Sequence, residues 1–423
     1  MDQDLQRLFA NAMLGCAPFE SCPHLAIAVS GGVDSRALAL LTKQWADKHH
    51  ARVTALVVDH QLQVESTSHA KATIEWLNRH AIDAVMLPVH VALNGNRQQS
   101  ARDARYHAMT DWCRRHGVLH LLLGHHFNDQ METVLMRWLR GSGIDGLCAM
   151  QPIAYRHDVR LLRPLLDVPK ATILHWMDAH AQVWIEDASN ATPRYHRNRL
   201  RAVTPILEAE GMSPKRLRES LLLWRQTRDF LHGQAHEFLA SHVVISEAGF
   251  ARLALEAWRI LPKEMGDRCL LAILRTVRGN KDAPRYEEVM RLAMRLRQPD
   301  FQGATLHGCQ LMVHEKQKTL FIVREKEPAS LQLETGTQTR WDDRFIVTAQ
   351  APSLWLRALG ADGLKQLRAS EFKLPKGYPA TVLQRLPSLW HLDQCIAQPH
   401  IGYGQTLETL GITLRFSPLK ALC

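Results

Sequence analysis

The sequence predicts an α/β protein in which an N-terminal doubly wound parallel sheet is followed by a helical middle domain and a small β-rich C-terminal domain. Over the first third of the chain, short apolar runs alternate with helical patterns, which is typical of a parallel sheet. The pattern over 213–300 is helical throughout, with little strand signal apart from 242–246. From about residue 301, short alternating runs such as TLFIV are separated by Gly, Pro and polar turns.

The N-terminal elements follow one another in a regular order. Apolar runs predict strands at 25–29, 53–58, 84–89 and 118–123, and helical patterns predict helices at 33–49, 66–80, 100–116 and 128–140. In the first helix, Ala37, Leu41 and Trp45 recur at helical spacing. We therefore expect helices on both faces of the sheet.

Three polar clusters follow the ends of predicted strands. They are SGGVDS at 30–35, Asp59-His60 and Gly124-His125-His126. The ligand site of such a sheet lies beyond the carboxyl ends of its strands, where the strand order reverses. We therefore expect the three clusters to lie on one rim, around one site.

The length of the chain, 423 residues, predicts two or three domains at about 150 residues each. The pattern changes near Thr204-Pro205, and the polar stretch 325–340 is typical of a linker. We predict an N-terminal α/β domain at 1–205, a mainly helical domain at 206–335 and a small C-terminal domain at 336–423.

The composition is that of an ordinary globular protein, with 46% hydrophobic and 22% charged residues. No run approaches the ~18 apolar residues of a membrane span, and the first twenty residues lack an apolar secretory core, so we expect no membrane anchor and no export. The eight cysteines form no CxxC pair, which disfavours a zinc or iron–sulfur site and fits a reduced cytosol. The net charge of +10 favours a polyanionic partner such as nucleic acid, with surface solubility as the alternative.

The hexapeptide SGGVDS has the features of a phosphate-binding loop. Its two glycines let the backbone approach an anion closely, its two serines add hydroxyl donors, and the following helix directs its positive end at the loop. The Walker lysine is absent, so this is not the loop of a P-loop NTPase. Asp34 fits a Mg²⁺ ion between its carboxylate and a triphosphate, and the alternative is a plain strand-to-helix turn. The predicted nucleotide-binding residues are Ser30, Gly31, Gly32, Val33, Asp34 and Ser35.

SGGVDS resembles the SGGxDS loop of the PP-loop ATP pyrophosphatases. The resemblance implies an adenine nucleotide alpha hydrolase-like fold, cleavage of ATP between its α and β phosphates, an adenylated intermediate and release of pyrophosphate. Asparagine, GMP and NAD synthetases share the loop, as do tRNA thiolases, so the loop alone does not choose among them.

Five further blocks resemble the tRNA(Ile)-lysidine synthetase family and, with the loop, span about residues 25–205. The blocks are SARDARY (100–106), GHHFNDQMET (124–133), RGSGIDGLCAM (140–150), RPLLDVPKATI (163–173) and WIEDASNATPRYHRNRLR (184–201). WDDRF (341–345) and LPSLW (386–390) resemble that family's C-terminal domain more weakly. One departure is Asn128, where the family usually has an aspartate, whereas the following Asp129 is present.

The second block also carries chemistry that its residues suggest by themselves. His125, Asp129 and Glu132 lie at i, i+4 and i+7, so one helical face would show all three near the rim. Two carboxylates and an imidazole could hold a cationic substrate, bind Mg²⁺ or take a proton. The alternative is a solvated helix face with Asn128 or Asp129 as N-cap. A zinc site would need a further ligand of known spacing, and the sequence shows none.

Two groups of arginines are candidates for phosphate binding. Arg102 and Arg105 lie at i and i+3 and fit phosphate as a fork, or else form ion pairs within the helix to Asp103 or Asp111. The second group mixes cations with ring planes, which fits an RNA backbone with stacked bases; the alternative is a basic helix end. Its members are Arg194, Tyr195, His196, Arg197, Asn198, Arg199 and Arg201.

The family resemblance implies a complete reaction. Its substrates would be ATP, L-lysine and a tRNA(Ile) with a CAU anticodon, and its products lysidine at the wobble cytidine, AMP and pyrophosphate. The catalytic residues that it implies are Asp34, Arg105, His125, Asp129, Glu132 and Arg197, with Mg²⁺ at Asp34. Asp129 or Glu132 would take the proton of the lysine amine, whose ordinary pKa is about 10.4.

The resemblance also implies tRNA binding by the two domains after residue 205, a bacterial cytosolic location, no membrane partner, and a homodimer as one alternative for the oligomeric state. A tRNA thiolase of the same superfamily is disfavoured because CxxC is absent. A non-catalytic RNA-binding protein is disfavoured by the intact loop with Asp34.

Overall fold

The computed structural model describes residues 2–59, 66–89, 97–185, 209–279, 282–314, 318–350 and 354–419, together with 200, 203–204, 206–207, 316 and 422. It consists of two compact units, Met1–Arg228 and Asp229–Cys423. Within the described residues, no helix is long and apolar enough to cross a membrane. The domain boundaries predicted after residues 205 and 335 stay predictions.

The first unit alternates strands and helices as predicted. Its helices are α1 (Asp2–Gly15), α2 (Val33–Lys48), α3 (Ser66–Arg79), α4 (Arg97–Arg115), α5 (Phe127–Trp138), α6 (Ile144–Leu147) and α7 (Lys170–Ala179). Its strands are β1 (His24–Ala28), β2 (Arg52–Asp59), β3 (Asp83–Pro88), β4 (His120–Leu122), β5 (Ile153–Arg156) and β6 (Val159–Leu162). A long helix, α8 (Pro214–His242), begins in this unit and ends in the second.

The six strands form one sheet in the order β3-β2-β1-β4-β6-β5. Neighbouring strands are parallel except for β5, which pairs antiparallel with β6 at one edge. The chain first builds outward from β1 to β2 and β3, and then places β4 on the other side of β1. The strand order therefore reverses between β1 and β4, and the crevice in which such sheets bind ligands opens beyond these two strands.

Helices cover both faces of the sheet because the side chains of each strand alternate between them. On β1, Leu25 and Ile27 belong to an apolar cluster with residues of α1, α2 and α7, whereas Ala26 belongs to another with residues of α4. Helix α1 is not among the predicted elements, although Leu5 and Phe9 lie four residues apart and are buried in the first cluster. The two layers hold β1 rigidly, and with it the loop that follows.

The second unit contains short helices and antiparallel strands. Its further helices are α9 (Leu255–Arg259), α10 (Lys263–Arg278), α11 (Tyr286–Arg295), α12 (Gly360–Ala369) and α13 (Ala380–Gln384). Its strands are β7 (Val243–Ile245), β8 (Ala251–Ala254), β9 (Gly303–Leu306), β10 (Cys309–His314), β11 (Thr319–Arg324), β12 (Leu331–Gln332), β13 (Gln338–Trp341), β14 (Phe345–Ala349), β15 (Trp355–Ala358), β16 (Pro387–His391), β17 (Gln394–Gln398), β18 (Tyr403–Gly404) and β19 (Ile412–Phe416).

A five-stranded sheet, in the order β7-β8-β11-β10-β9, lies in the middle region. Strand β7 coincides with the strand signal at 242–246, but β8 lies within a stretch that the pattern predicted to be helical, which corrects that expectation. The reason is that β8 has only four residues, too few for alternation to distinguish a strand from a helix. Its position is fixed by pairing with β7 and β11, which is not a local property of the sequence.

The C-terminal region is β-rich, as predicted. It contains a five-stranded sheet in the order β12-β15-β16-β17-β18 and a three-stranded sheet in the order β13-β14-β19. Phe250 and Phe321 of the middle region share one buried apolar cluster with Leu364, Leu383 and Trp390 of the C-terminal region. The two regions therefore share a hydrophobic core within the second unit.

Candidate active site

The SGGVDS loop connects β1 to α2 at the carboxyl end of β1. Gly31 has a φ of +91°, and a Cβ atom there would lie 2.6 Å from Thr73 Oγ1. The Gly31 carbonyl accepts a hydrogen bond from Ile185 N at 3.1 Å. The backbone conformation and the close approach of α3 both require glycine at this position.

Hydrogen bonds inside the loop fix its shape. The Ser35 hydroxyl donates to Gly32 O at 2.9 Å and accepts from Ser30 N at 3.2 Å. Gly32 is the N-cap of α2 and provides no side-chain cap. The first N–H groups of a helix have no intrahelical acceptor, so the start of α2, at Val33 and Asp34, has the donors and the positive helix end that bind a phosphate group.

The Asp34 carboxylate lies near an imidazole and an ammonium group. Its Oδ2 atom lies 3.6 Å from His126 Nε2 and 3.6 Å from Lys170 Nζ. Its Oδ1 atom is buried and has no hydrogen-bond partner. Such an oxygen beside a phosphate-binding loop fits Mg²⁺, which takes one or two carboxylates together with phosphate oxygens. Within the described residues, no group of three or more His, Cys, Asp or Glu could hold a metal ion, so phosphates would supply further ligands.

The loop after β4 approaches the start of α2 closely at Gly124. A Cβ atom on Gly124 would lie 3.2 Å from Asp34 O and 3.4 Å from Ser35 Cα. The absence of a side chain therefore lets the two loops of the crevice come together. This approach brings the imidazole of His126 within reach of the Asp34 carboxylate.

Helix α5 begins directly after this loop, with His126 as its N-cap, so the alternative of Asn128 or Asp129 as N-cap is wrong. The Asp129 carboxylate accepts a hydrogen bond from His126 N at 3.0 Å and lies 3.7 Å from His126 Nε2. Asn128 Oδ1 accepts a hydrogen bond at 3.0 Å from the backbone N–H of Lys170, the first residue of α7. The residue that departs from the family pattern therefore positions the lysine that faces Asp34.

Burial lowers the pKa of His125 to about 3, and Arg163, Arg102 and Arg105 act in the same direction. Asp129 opposes the shift but does not reverse it. The Nδ1 atom of His125 is buried without a hydrogen-bond partner. His125 is therefore a neutral imidazole at physiological pH, with one ring nitrogen available to a ligand.

His125, Asp129 and Glu132 were expected on one helix face. His125 is not on it, because it lies in the loop before α5. Asp129 lies in the first turn of the helix and Glu132 one turn later. Glu132 is only 2% exposed, so the alternative of a solvated helix face is wrong. Asp129 and His125 still interact, since the Asp129 carboxylate acts to raise the pKa of His125.

Arg102 and Arg105 lie on α4 beside the ring of Tyr106. The Cζ atoms of Arg102 and Arg105 are 5.1 and 6.0 Å from the ring centroid, and that of Arg156 is 5.0 Å from it. Arg102 also donates a hydrogen bond to the Tyr106 hydroxyl at 3.3 Å. Both arginines of the predicted fork therefore lie in one cationic group that acts on His125.

The aspartates considered as helix partners of this fork have other ion pairs. Asp103 lies 3.1 Å from Arg156 on β5, and Asp111 pairs with Arg115 on α4. In the polar cluster Asp59-His60, the Asp59 carboxylate accepts hydrogen bonds from the hydroxyls of Ser66 and Thr67, each at 2.7 Å. Asp59 thus holds the start of α3.

Some predicted residues lie outside the described residues. They are His60 and the basic group Arg194, Tyr195, His196, Arg197, Asn198, Arg199 and Arg201. The assignment of Arg197 as a catalytic residue stays a prediction.

Sequence reasoning placed His126 on the rim as part of Gly124-His125-His126 but gave it no role, and it did not single out Lys170; both side chains lie beside Asp34. The signal for His126 is its position at a helix start after a strand. For Lys170 it is the preceding Pro169, since proline is common where a helix begins. The expected common rim puts His126 near the SGGVDS loop, whereas no local signal indicates that Lys170 contacts this loop, because that contact depends on the arrangement of the sheet.

The fold and the loop define a PP-loop nucleotide-binding protein. A family model described as a PP-loop domain matches residues 1–207. Among solved structures, a U34-tRNA thiolase from Methanococcus maripaludis matches over 52% of this chain and 78% of its own, with 15% sequence identity and a TM-score of 0.45.

Relatives extend the match over both units. The chain is 31% identical over 418 residues to the tRNA(Ile)-lysidine synthase of Orientia tsutsugamushi (strain Boryong). The match covers 93% of this chain and 93% of that protein. It is 32% identical over 396 residues to the tRNA(Ile)-lysidine synthase of Ruegeria pomeroyi, and this match covers 91% of both proteins. The chain belongs to the tRNA(Ile)-lysidine synthase family.

Proposed function

We propose that this protein attaches L-lysine to C2 of the wobble cytidine of tRNA(Ile) with a CAU anticodon and uses ATP to activate that base. The products are lysidine, AMP and pyrophosphate, and the modified tRNA decodes AUA and acquires isoleucine identity. The observation that carries the proposal is the meeting of Asp34 of the PP-loop with His126 and Lys170, in a chain whose relatives are named tRNA(Ile)-lysidine synthases.

The nucleotide step uses the start of α2. The pyrophosphate portion of ATP binds to the backbone N–H groups there, within the loop that Gly31 and Ser35 shape. Lys170 Nζ supplies from α7 the positive charge that a Walker loop carries in its own sequence. Asp34 would hold Mg²⁺ through its Oδ1 atom, where the ion offsets charge on the leaving pyrophosphate.

In the first step, the C2 oxygen of the cytidine attacks the α-phosphorus of ATP. A bond forms between that oxygen and phosphorus, the bond from phosphorus to the bridging oxygen breaks, and pyrophosphate leaves with the electron pair. Arg105 stabilises the negative charge that builds on the α-phosphate, and we assign the same role to Arg197. The neutral His125 offers its free Nδ1 atom to the base or the ribose.

In the second step, the ε-amine of lysine attacks C2 of the adenylated cytidine. The new C–N bond replaces the C–O bond to phosphate, and AMP leaves. The ordinary pKa of the amine is about 10.4, so a base must take a proton before or during the attack. Asp129 and Glu132 are the candidates, and Asp129 is oriented by its hydrogen bond from His126 N.

The experiment incubates the enzyme with ATP, Mg²⁺, labelled lysine and a CAU-anticodon tRNA, and then analyses the nucleosides. We expect labelled lysidine and one pyrophosphate per lysidine. Asp34→Asn should reduce both about a hundredfold or more, because it removes the carboxylate that would hold Mg²⁺ beside the reacting phosphates. A tRNA without a wobble cytidine is the control substrate. Wild-type enzyme that forms no lysidine, or Asp34→Asn with unchanged turnover, would contradict the proposal.

The remaining parts of the proposal concern the setting of the reaction. We assign tRNA docking to the regions after residue 205 and the reaction to the bacterial cytosol, where tRNA and ATP meet. A homodimer is one alternative for the oligomeric state. Sedimentation of the free enzyme and of its tRNA complex would distinguish it from a monomer.

A further inference from the structure

Four arginines from three parts of the first unit meet at Tyr106, which is only 4% exposed. Arg102 and Arg105 share α4 with the tyrosine, Arg156 ends β5, and Arg163 directly follows β6. The Tyr106 hydroxyl accepts a hydrogen bond from Arg102 at 3.3 Å, and Tyr106 and Arg163 interact electrostatically. These five residues are called the Tyr106 cluster below.

The Tyr106 cluster is a built cationic site rather than a set of solvated side chains. Arg163 is 9% exposed, its Nε atom is buried without a hydrogen-bond partner, and burial lowers its pKa, with Arg102 acting in the same direction. Arg156 of the cluster pairs with Asp103 at 3.1 Å. Three guanidinium groups lie beside one phenol ring, and that of Arg163 acts on the same tyrosine and on Arg102, so the mutual repulsion of these cations favours binding an anion.

The Tyr106 cluster lies at some distance from the PP-loop, because its residues follow other strands of the sheet. Arg163 follows β6, and the order β1-β4-β6 puts two strand spacings, about 10 Å, between it and the end of β1. His125 follows β4, the strand between them, and its pKa responds to both Asp129 and Arg163. One nucleotide can bridge such a separation with its base at the loop and its phosphate at the arginines.

We propose that the Tyr106 cluster binds a backbone phosphate of the RNA substrate next to the target nucleotide, through Arg102, Arg156 and Arg163. Arg105 keeps the role at the α-phosphate of ATP that the proposed function gives it. The inference rests on the proposed function, because it takes the RNA base at the PP-loop as its starting point. ATP shares the phosphate chemistry and is the other source that the experiment must distinguish.

The test measures equilibrium binding of the CAU-anticodon tRNA to the full chain at several salt concentrations, without lysine or ATP. We expect Arg102→Ala and Arg156→Ala each to weaken binding about tenfold at low salt and to reduce the slope of log K against log salt by about one. ATP binding, measured separately, should stay within twofold of wild type. Arg115→Ala is the matched control, because Arg115 is an exposed arginine of the same helix that pairs with Asp111.

Unchanged tRNA affinity and salt slope in both variants would overturn the inference, as would a loss confined to ATP binding. Thermal unfolding of each variant checks that the fold is intact, and Arg102→Lys should recover part of the affinity by restoring the charge. Failure of the inference is distinguishable from failure of the proposed function. The binding test involves no turnover, whereas the proposed function is tested by lysidine formation in wild-type enzyme and by the turnover of Asp34→Asn.

Discussion

Among single residues, His125 shows how burial determines the chemistry that a side chain can perform. Its pKa is lowered by burial to about 3, whereas histidine in an unfolded chain has a pKa of about 6.5. Between these values only the unfolded state takes up the proton, so this residue lowers stability as the pH falls from 6.5 toward 3. We predict that the unfolding free energy falls between pH 7 and pH 5 by about 2 kcal/mol less in His125→Gln than in wild type.

Urea unfolding of wild type and variant at the two pH values measures this difference. His69→Gln is the matched control, because His69 is an exposed histidine on α3 of the same unit. It should leave the pH dependence as it is in wild type. If His125→Gln and wild type lose the same free energy on acidification, the imidazole is not held neutral in the native state.

The residues of the loop were predictable because they are contiguous and their roles follow from local geometry. A strand, two glycines and a helix start need only a few neighbouring positions to be identified. Lys170 was not predictable in the same way, since it reaches Asp34 only after β6 has been placed beside β4. The same holds for Arg156 and Arg163, which come to Tyr106 from β5 and from the end of β6.

Between elements, the start of α7 is fixed to the start of α5 by one side chain. Asn128 Oδ1 holds the N–H of Lys170, and Lys170 Nζ lies 3.6 Å from Asp34 Oδ2. We predict that Lys170→Ala lowers kcat/KM for tRNA-dependent pyrophosphate release about a hundredfold, because the charge that offsets the leaving group is lost. Lys170→Arg should lose less, since it retains the charge at the helix start.

Pyrophosphate release in the presence of tRNA and lysine measures the effect. Lys43→Ala is the control, because Lys43 lies on α2 and pairs with the exposed Asp47 rather than with the loop. It should retain wild-type turnover. Equal turnover of Lys170→Ala and wild type would show that α7 contributes only to the fold.

The elements themselves were predictable wherever their pattern was long enough. Helices such as α2 and α4 have sixteen and nineteen residues and were placed within three residues of their ends. Strand β8, with four residues, was missed because its identity comes from its partners in the sheet. Length and local period therefore decide what a pattern can identify, and pairing decides the rest.

For the molecule as a whole, the second unit shows why the C-terminal region is not a removable module. Phe250 and Phe321 pack with Leu364 and Trp390 in one cluster, so deleting residues 341–423 would expose this core. Loss of tRNA binding after such a deletion could then reflect unfolding rather than a lost docking surface. Substitutions of exposed basic residues are the better test of tRNA docking by this region.

The buried ion network around Arg344 joins the same two regions. Arg344 is 2% exposed, pairs with Asp342, and donates a hydrogen bond to Val277 O at 3.0 Å at the end of α10. Asp342 also lies 2.8 Å from Arg324 on β11. The WDDRF block, which resembles the family's C-terminal domain, thus has a structural role in this chain.

We predict that Arg344→Ala lowers the unfolding free energy of the full chain by about 3–5 kcal/mol, because it leaves the Asp342 carboxylate buried with one partner fewer and the carbonyls of Gly249 and Val277 without this donor. Urea unfolding followed by tryptophan fluorescence measures the loss, since Trp341 and Trp390 are buried in this unit. Arg415→Ala, at an exposed arginine of β19, is the control and should change stability by less than about 0.5 kcal/mol. A loss below about 1 kcal/mol for Arg344→Ala would mean that the apolar cluster alone holds the two regions together.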